Sequence, residues 1–395
     1  MKDSGIPWIG EIPEGWVLSR IKNCTDIVMG QSPDGDSITS EPVGYLFMQG
    51  NTEFSDKYPN PSLYCQNPNK LSRVGDILMS VRAPVGALNI SDKIYGIGRG
   101  LCSIKNINID KSYLWYYLLK SSEDFDYYGN GSTFSAITVS SLNNVPLLLP
   151  PLAEQHLIAT FLDKKCSEID SLIELQEQMI EELKAYKQSV ITEAVTKGLN
   201  PNVPMKNSGI EWIGDVPEEW EVRKIKSLVD LKSGSNLTTT EISEKEDGFP
   251  VYGGNGVRGT YSAYSNDGEY VLIGRQGALC GNINYTKGKF WVTEHALVCY
   301  PKEKLVLFWF GESLRAMNLN QYSLSAAQPG LSAERIKNLY IVFPPLAEQQ
   351  AIADYLDKKC GEIDELITIK QQKIESLKEY KKSVIYEYVT GKREV

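Results

Sequence analysis

Two stretches of this chain occur twice, and this duplication constrains the fold more than any other feature. Residues 1–24 return as residues 205–228, and residues 150–195 return as residues 344–389. The two segments enclosed by these copies do not match each other in sequence. A duplicated frame around two unlike inserts predicts one structural device used twice, with a different domain attached each time.

Length and composition indicate an ordinary globular protein of two or three domains. The chain has 395 residues, of which 42% are hydrophobic and 23% charged. It has no apolar run of about 18 residues, and its first residues lack the apolar core of a signal peptide. We therefore expect a cytoplasmic protein without a membrane span.

Cysteine and histidine usage argues against a metal site. Only two histidines occur, His156 and His295, and no two cysteines form a CxxC pair. We expect reduced, partly buried thiols at Cys24, Cys65, Cys102, Cys166, Cys280, Cys299 and Cys360.

The net charge of −9 bears on possible partners. The insert at 25–149 has nine basic and twelve acidic residues, and the insert at 229–343 has eleven of each. Proteins that bind nucleic acid usually carry a basic surplus, because phosphate contacts supply much of their affinity. Composition alone therefore favours a protein-binding module.

A long helix is predicted after each PPLAEQ motif. Pro150–Pro151 and Pro344–Pro345 suit a helix start, and no proline follows before Val195 or Val389. Apolar residues at heptad spacing predict packing against another helix, most simply each other, with polar Gln176 and Lys370 fixing the register. The alternative is that each helix only covers its own domain. The predicted main row is Leu162, Ile169, Gln176, Leu183, Val190, Leu356, Ile363, Lys370, Leu377 and Val384; the companion row is Leu172, Met179, Tyr186, Leu366 and Tyr380.

The sequence patterns of the two inserts predict compact mixed α/β domains. Short β-like runs occur at 76–81, 270–273 and 290–293, and helices are plausible at 112–120 and 304–317. No catalytic signature is complete. There is no Walker phosphate loop. DNA amino-methyltransferases carry an Asn/Asp-Pro-Pro-aromatic motif, whereas both proline pairs of this chain are followed by Leu-Ala-Glu-Gln. His295, in VTEHALV, belongs to no recognisable constellation of Ser, Cys and carboxylate residues and is interpreted as a strand residue. The sequence does not favour an enzyme.

The order of insert, PPLAEQ helix, SGIxWIGxxPxxW box, second insert and second PPLAEQ helix resembles the specificity subunit of type I restriction–modification systems. Three segments are similar to sequences typical of that family: VGDILMSVRAPVGALNI, GEYVLIGRQGALCGNINY and QPGLSAERIKNLYIVFPPLAEQ. The likeness covers essentially the whole chain.

The resemblance implies a mixed α/β fold with two target recognition domains and two long helices in an antiparallel coiled coil. Its domains would be 1–149, 150–204, 205–343 and 344–395. Each recognition domain would read one half of a bipartite, asymmetric double-stranded DNA target, and the coiled coil would set the gap. The frame would bind two methyltransferase subunits, and motor–nuclease subunits would join them. This chain would bind no cofactor; the partner subunits would use S-adenosylmethionine, ATP and Mg²⁺.

Candidate base-reading residues are polar side chains on loops near glycines or strand ends. They are Tyr45, Gln49, Asn51, Arg82, Arg99, Tyr252, Asn255, Arg258, Arg275 and Gln276. The alternative for each is a turn residue or a partner of a buried carboxylate. The tryptophans of the two boxes, Trp8, Trp16, Trp212 and Trp220, either pack the box onto its domain or help to bind the methyltransferase subunits.

Two other functions remain open from the residues alone. One is a protein-interaction scaffold, in which a coiled coil presents two unrelated binding domains. The other is a spare specificity subunit whose domains recombine through the repeats.

Overall fold

The computed structural model describes residues 1–6, 9–34, 37–121, 137–244, 248–277, 279–323 and 330–395. Trp8 lies outside the described residues. The chain divides into two units: unit 1 contains Met1–Gln176 and Gln372–Val395, and unit 2 contains Glu177–Gln371. Both long helices contribute to both units.

The strands of unit 1 are β1 (Lys2–Asp3), β2 (Glu11–Ile12), β3 (Val17–Arg20), β4 (Thr25–Met29), β5 (Ile38–Thr39), β6 (Tyr45–Met48), β7 (Leu63–Cys65), β8 (Ile77–Ser80), β9 (Leu88–Ile90), β10 (Gly96–Ile97), β11 (Leu101–Asn106) and β12 (Pro146–Leu149). Those of unit 2 are β13 (Met205–Asn207), β14 (Asp215–Pro217), β15 (Glu221–Lys224), β16 (Val229–Ser233), β17 (Phe249–Gly253), β18 (Gly256–Tyr261), β19 (Asn266–Asp267), β20 (Tyr270–Gly274), β21 (Ile283–Thr286), β22 (Lys289–Val292), β23 (Ala296–Pro301) and β24 (Tyr340–Phe343). The α-helices are α1 (Lys111–Ser121), α2 (Val139–Asn143), α3 (Leu152–Lys197), α4 (Ile225–Leu228), α5 (Leu307–Ala316), α6 (Ala333–Lys337) and α7 (Leu346–Val389).

The unlike inserts share one strand order. An antiparallel sheet β4-β11-β8-β9 in unit 1 corresponds to β16-β23-β20-β21 in unit 2. In a second sheet, β10 runs parallel to β6, as β22 does to β17. A strand pair, β3–β12 or β15–β24, leads from each box to its long helix.

Buried strands with apolar residues on both faces explain the continuous apolar runs in the sequence. In β8, Ile77 and Met79 pack in the core that contains α1, whereas Leu78 packs against the second sheet. In β20, Leu272 likewise faces the opposite side from its neighbours Val271 and Ile273, which pack in the core that contains α5. Side chains alternate across a strand, so each central sheet is covered by a helix on one face and a sheet on the other.

The glutamine of each PPLAEQ motif forms hydrogen bonds with backbone groups at the start of its long helix. Gln155 is buried; its Nε2 donates to the Pro150 carbonyl at 2.8 Å, and its Oε1 accepts from the Asp110 amide at 2.9 Å. Gln349 is also buried and repeats both bonds, to the Pro344 carbonyl at 2.9 Å and from the Val306 amide at 3.0 Å.

The preceding glutamate binds the tryptophan that ends each box. Trp16 Nε1 donates to Glu154 Oε1 at 3.0 Å, and Trp220 Nε1 donates to Glu348 Oε2 at 2.5 Å. Each tryptophan is 1% exposed. A carboxylate in the first helical turn also interacts favourably with the helix dipole. Trp16 and Trp220 therefore pack the boxes onto the long helices.

The long helices are antiparallel within each unit. In unit 1, the ring centroids of Phe161 and Tyr388 lie 4.4 Å apart. Lys381 Nζ forms an ion pair with Asp170 Oδ1 at 2.6 Å. Residue numbers thus rise on one helix as they fall on the other.

In unit 2, Lys187 binds Asp364 at 2.6 Å and Lys370 Nζ lies 3.4 Å from Met179 Sδ. The Lys187–Asp364 pair is the repeat equivalent of the pair in unit 1, with the helices exchanged.

The predicted companion row is wrong by one residue. Leu172, Tyr186, Leu366 and Tyr380 are each about half exposed, and Met179 is half-buried. A helix places positions i+3 and i+4 on the same face, and both Leu172 and Ile173 are apolar, so the sequence alone does not choose between them. The main row is buried or half-buried; the row that accompanies it is Cys166, Ile173, Ile180, Lys187 and Ala194 in α3, and Cys360, Ile367, Ile374, Lys381 and Tyr388 in α7.

All seven cysteines are buried and none is in a disulfide. Burial raises the pKa of Cys102 to about 12 and that of Cys166 to about 11. Among the described residues, no cluster of metal-ligating side chains occurs, and none of the helices has a stretch apolar enough to cross a bilayer.

Candidate nucleic-acid interface

Three chain segments of unit 1 meet where strands of its two sheets end. The Gly100 amide donates to the Gln49 carbonyl at 3.0 Å, and the Val81 amide donates to the Gly100 carbonyl at 2.9 Å. Arg99 and Arg82 each adjoin one of these bonded residues. We call residues 48–51, 81–82 and 98–100 the unit 1 edge.

Glycines allow the backbones of the unit 1 edge to approach closely. The Gly98 amide donates to the Met48 carbonyl at 2.7 Å, and the Gly30 amide donates to the Leu101 carbonyl at 2.9 Å. A Cβ on Gly30 would lie 2.2 Å from the Gly98 carbonyl oxygen. Only glycine fits at position 30, because backbone atoms occupy the space of a side chain.

The side chains of the unit 1 edge are mostly available to a ligand. Arg82 and Arg99 are exposed, and neither has an ion pair with any residue in the described ranges. Gln49 is exposed and donates to Ser32 Oγ at 2.7 Å, and Asn51 is half-buried. Tyr45 is 41% exposed but begins β6, at the opposite end from the edge, so the structure does not place it in this group.

Unit 2 repeats the framework with other residues. The Thr293 amide donates to the Tyr252 carbonyl at 2.9 Å, and the Arg275 amide donates to the His295 carbonyl at 2.8 Å. We call residues 252–255, 275–276 and 293–295 the unit 2 edge.

Gly234 is the counterpart of Gly30 in this second framework. Its amide donates to the Ala296 carbonyl at 3.2 Å, and a Cβ there would lie 2.2 Å from the Val292 carbonyl oxygen. The same close approach therefore requires glycine in both units.

Matching these hydrogen bonds pairs the positions of the two edges, although the sequences do not align. Thr293 corresponds to Gly98, Tyr252 to Met48 and Arg275 to Val81. Counting from these residues places Asn255 at the position of Asn51, Gln276 at that of Arg82, and Glu294 at that of Arg99. The scaffold is common, and the side chains that it carries differ.

The remaining candidates of unit 2 have distinct surroundings. Arg275 Nη1 donates to Ser233 Oγ at 3.3 Å, and Asn255 Oδ1 accepts from Asn282 Nδ2 at 2.6 Å. Arg258 is exposed. The ring of Tyr252 packs edge-on against Phe290 at 5.7 Å, and burial raises its pKa, so its ring belongs to the core.

Two residues of the unit 2 edge, Glu294 and His295, were not among the candidates from the sequence. His295 lies in the turn between β22 and β23, so its interpretation as a strand residue is wrong. Its Nδ1 is 2.6 Å from Gln276 Oε1, and its Nε2 is 3.2 Å from Glu294 Oε1. The sequence signal for this cluster was Gln276, which follows a predicted strand and precedes a glycine.

The family model described as "Type I restriction modification DNA specificity domain" matches residues 13–185 and 217–379. The chain belongs to this family. The two matches contain the two inserts with most of their long helices, so the family unit is present twice.

Curated relatives match either part or nearly all of the chain. The MjaX protein of Methanocaldococcus jannaschii is 41% identical over 192 residues, covering 48% of this chain and 44% of its own length. The EcoprrI specificity subunit of Escherichia coli is 39% identical over 35% of this chain and 36% of its own length. The chain thus spans less than half of these two relatives. The MjaVIII specificity subunit of M. jannaschii is 26% identical over 96% of this chain and 93% of its own.

Solved structures of type I systems share the fold. A chain from a structural study of complex assembly and conformational transition in a type I system aligns with a TM-score of 0.74 at 16% identity, covering 96% of this chain and 98% of its own. The HsdS subunit of Thermoanaerobacter tengcongensis aligns over the full length of both chains with a TM-score of 0.53 at 17% identity.

Proposed function

We propose that this chain is the DNA-specificity subunit of a type I restriction–modification complex. Each unit reads one half of a bipartite, asymmetric target in double-stranded DNA, and the long helices set the gap between the halves. The observation that carries this proposal is the pair of edges, which share a backbone framework and differ in their exposed side chains. Such a pair suits one mode of binding applied to two different sequences.

The side chains on the edges suit contacts to base edges. A guanidinium without an ion pair among the described residues, such as that of Arg82 or Arg99, can make a bidentate contact with guanine, and an amide such as that of Asn51 or Asn255 can do so with adenine. With a net charge of −9, the chain lacks the basic surplus that usually accompanies extensive phosphate contacts. We infer that partner subunits supply much of the phosphate neutralisation.

Two methyltransferase subunits are the proposed partners of the long helices. In unit 1, Leu172 and Tyr380 are exposed and occupy the same heptad position on the two antiparallel helices, which puts them on one flank of the pair; in unit 2, Leu366 and Tyr186 are their repeat equivalents. Two equivalent apolar flanks suit two copies of one partner. Motor–nuclease subunits complete the proposed complex in the cytoplasm. The partners use S-adenosylmethionine, ATP and Mg²⁺, and this chain binds none of them.

Sequencing of methylated bases in the host genome tests the DNA-reading role. Single-molecule sequencing of the host should reveal a bipartite methylated motif that disappears when the gene for this chain is deleted and returns on complementation. A methylation pattern that does not depend on the chain would refute the proposal and favour the protein-interaction scaffold.

Native mass spectrometry of the complex tests the docking flanks. Wild-type chain should bind two copies of the methyltransferase, and Leu172→Glu should reduce this to one, because a charge on one apolar flank opposes its burial. Ser171→Glu, which adds the same charge at the adjacent exposed residue, should keep both copies. Equal stoichiometry for the two variants would place the docking surface elsewhere.

A further inference from the structure

The two edges have opposite charges at one matched position. A tight four-residue turn joins β10 to β11 in unit 1 and β22 to β23 in unit 2. In each turn the amide of the fourth residue donates to the carbonyl of the first. The distance is 3.0 Å in residues 98–101 and 3.1 Å in residues 293–296. The second residue of the turn is Arg99 in unit 1 and Glu294 in unit 2.

The carboxylate of Glu294 has unused capacity to accept hydrogen bonds. Its Oε1 is held by His295 Nε2 at 3.2 Å, and His295 is itself held by Gln276. Its Oε2 has no donor among the residues that the structure describes, although that atom is shielded from water. The side chain as a whole is 36% exposed, so a donor from outside reaches Oε2 when the carboxylate turns toward it. A carboxylate accepts hydrogen bonds and donates none.

Arg99 has the reverse character. Its side chain is exposed and makes no ion pair within the described part of the chain. A guanidinium donates hydrogen bonds and accepts none, and in the major groove its best partner is the O6 and N7 pair of guanine. A carboxylate in the groove needs an exocyclic amino group, on cytosine N4 or adenine N6, to offset its desolvation and its repulsion from phosphates.

We propose that the two half-sites are read with opposite hydrogen-bond polarity at this matched position. Arg99 donates to a guanine in the half-site of unit 1, and Glu294 accepts from the amino group of a cytosine or adenine in the half-site of unit 2. His295 is a positioning residue that orients the carboxylate. This inference rests on the proposed DNA-reading function and assigns the specificity-determining residue of the second edge.

The test compares methylated motifs in the host strain with the full complex and single variants of this chain. Glu294→Gln should relax or change one base pair in one half-site, with a loss of discrimination on the order of 10- to 100-fold, and should leave the other half-site intact. Arg99→Gln should relax one G·C pair in the other half-site. Glu294→Arg should make guanine the required base at the position that Glu294→Gln relaxes. Glu269→Gln, an exposed carboxylate before the opposite end of β20, is the control and should leave the motif unchanged.

Three results would overturn the inference. They are an unchanged motif in Glu294→Gln, relaxation of the same half-site by both the Arg99 and Glu294 variants, and loss of all methylation without a relaxed motif, which would indicate that Glu294 supports the fold. A motif that depends on the chain but not on Glu294 refutes this inference alone. A motif that survives deletion of the chain refutes the proposed function itself.

Discussion

Replacing the buried glutamine of the second PPLAEQ motif should destabilise unit 2 selectively. Gln349 is fully buried, and its amide satisfies two backbone groups, the Pro344 carbonyl and the Val306 amide, at 2.9 and 3.0 Å. In Gln349→Ala both groups lose their partner without gaining water. A buried polar group left unsatisfied costs about 1–3 kcal/mol, so the free energy of unfolding of unit 2 should fall by about 2–6 kcal/mol. This is a large part of the 5–15 kcal/mol typical of a folded domain.

Hydrogen exchange measured by mass spectrometry resolves this effect by unit. Amides of β20 and β23 should exchange faster in Gln349→Ala than in wild type, and those of β8 and β11 should be unchanged. Gln155→Ala should give the opposite pattern, since Gln155 makes the equivalent bonds in unit 1. Gln350→Ala is the matched control, because within the described ranges its exposed side chain bonds only Asp354 on the same helix and should contribute less than about 0.5 kcal/mol.

A loss below about 1 kcal/mol in Gln349→Ala, or one equal to that of Gln350→Ala, would refute the reasoning. It would mean that the two backbone groups find other partners and that the repeated glutamine is not required for the start of the helix.

Three further predictions concern stability and reactivity. Gly361→Ala should raise the free energy of unfolding by about 1 kcal/mol in urea denaturation, because Gly361 is an exposed glycine within α7 with open space around it. Gly30→Ala should lower it by about 1–3 kcal/mol or more, since the new Cβ meets backbone oxygen, whereas Gly50→Ala, with nothing within 4 Å, should stay within about 1 kcal/mol of wild type. Cys102, whose pKa is raised to about 12, should remain protonated at pH 8.5 and resist iodoacetamide until urea unfolds the chain, as peptide mapping would show.

The sequence was most informative where side chains determine structure. The duplicated motifs and apolar spacing predict the long helices well: α3 begins at Leu152 and α7 ends at Val389. The runs at 76–81 and 270–273 coincide with β8 and β20, whose side chains fill cores on both faces.

The sequence was least informative where side chains are ambiguous or the backbone carries the structure. At position 187 a lysine takes a helix-packing place, because its aliphatic stem packs while its ammonium reaches Asp364, and a hydrophobic pattern does not reveal this. Within each edge the chain segments are joined by main-chain hydrogen bonds, which any residue can make, so the correspondence between the two edges leaves little trace in the sequence beyond Gly30 and Gly234. Arg82 and Gln276 were both proposed as base readers, but their equivalence emerged only from the folded chain.

The main-chain construction of the edges also bears on how such a protein evolves. Because the framework bonds do not depend on side chains, substitutions at exposed positions such as 82, 99 and 276 should change stability by only about 0.5 kcal/mol. Mutations there are therefore nearly free of folding cost, and many combinations of side chains remain accessible to selection. A lineage can acquire a new recognition surface by a few single-residue steps, each passing through a folded protein.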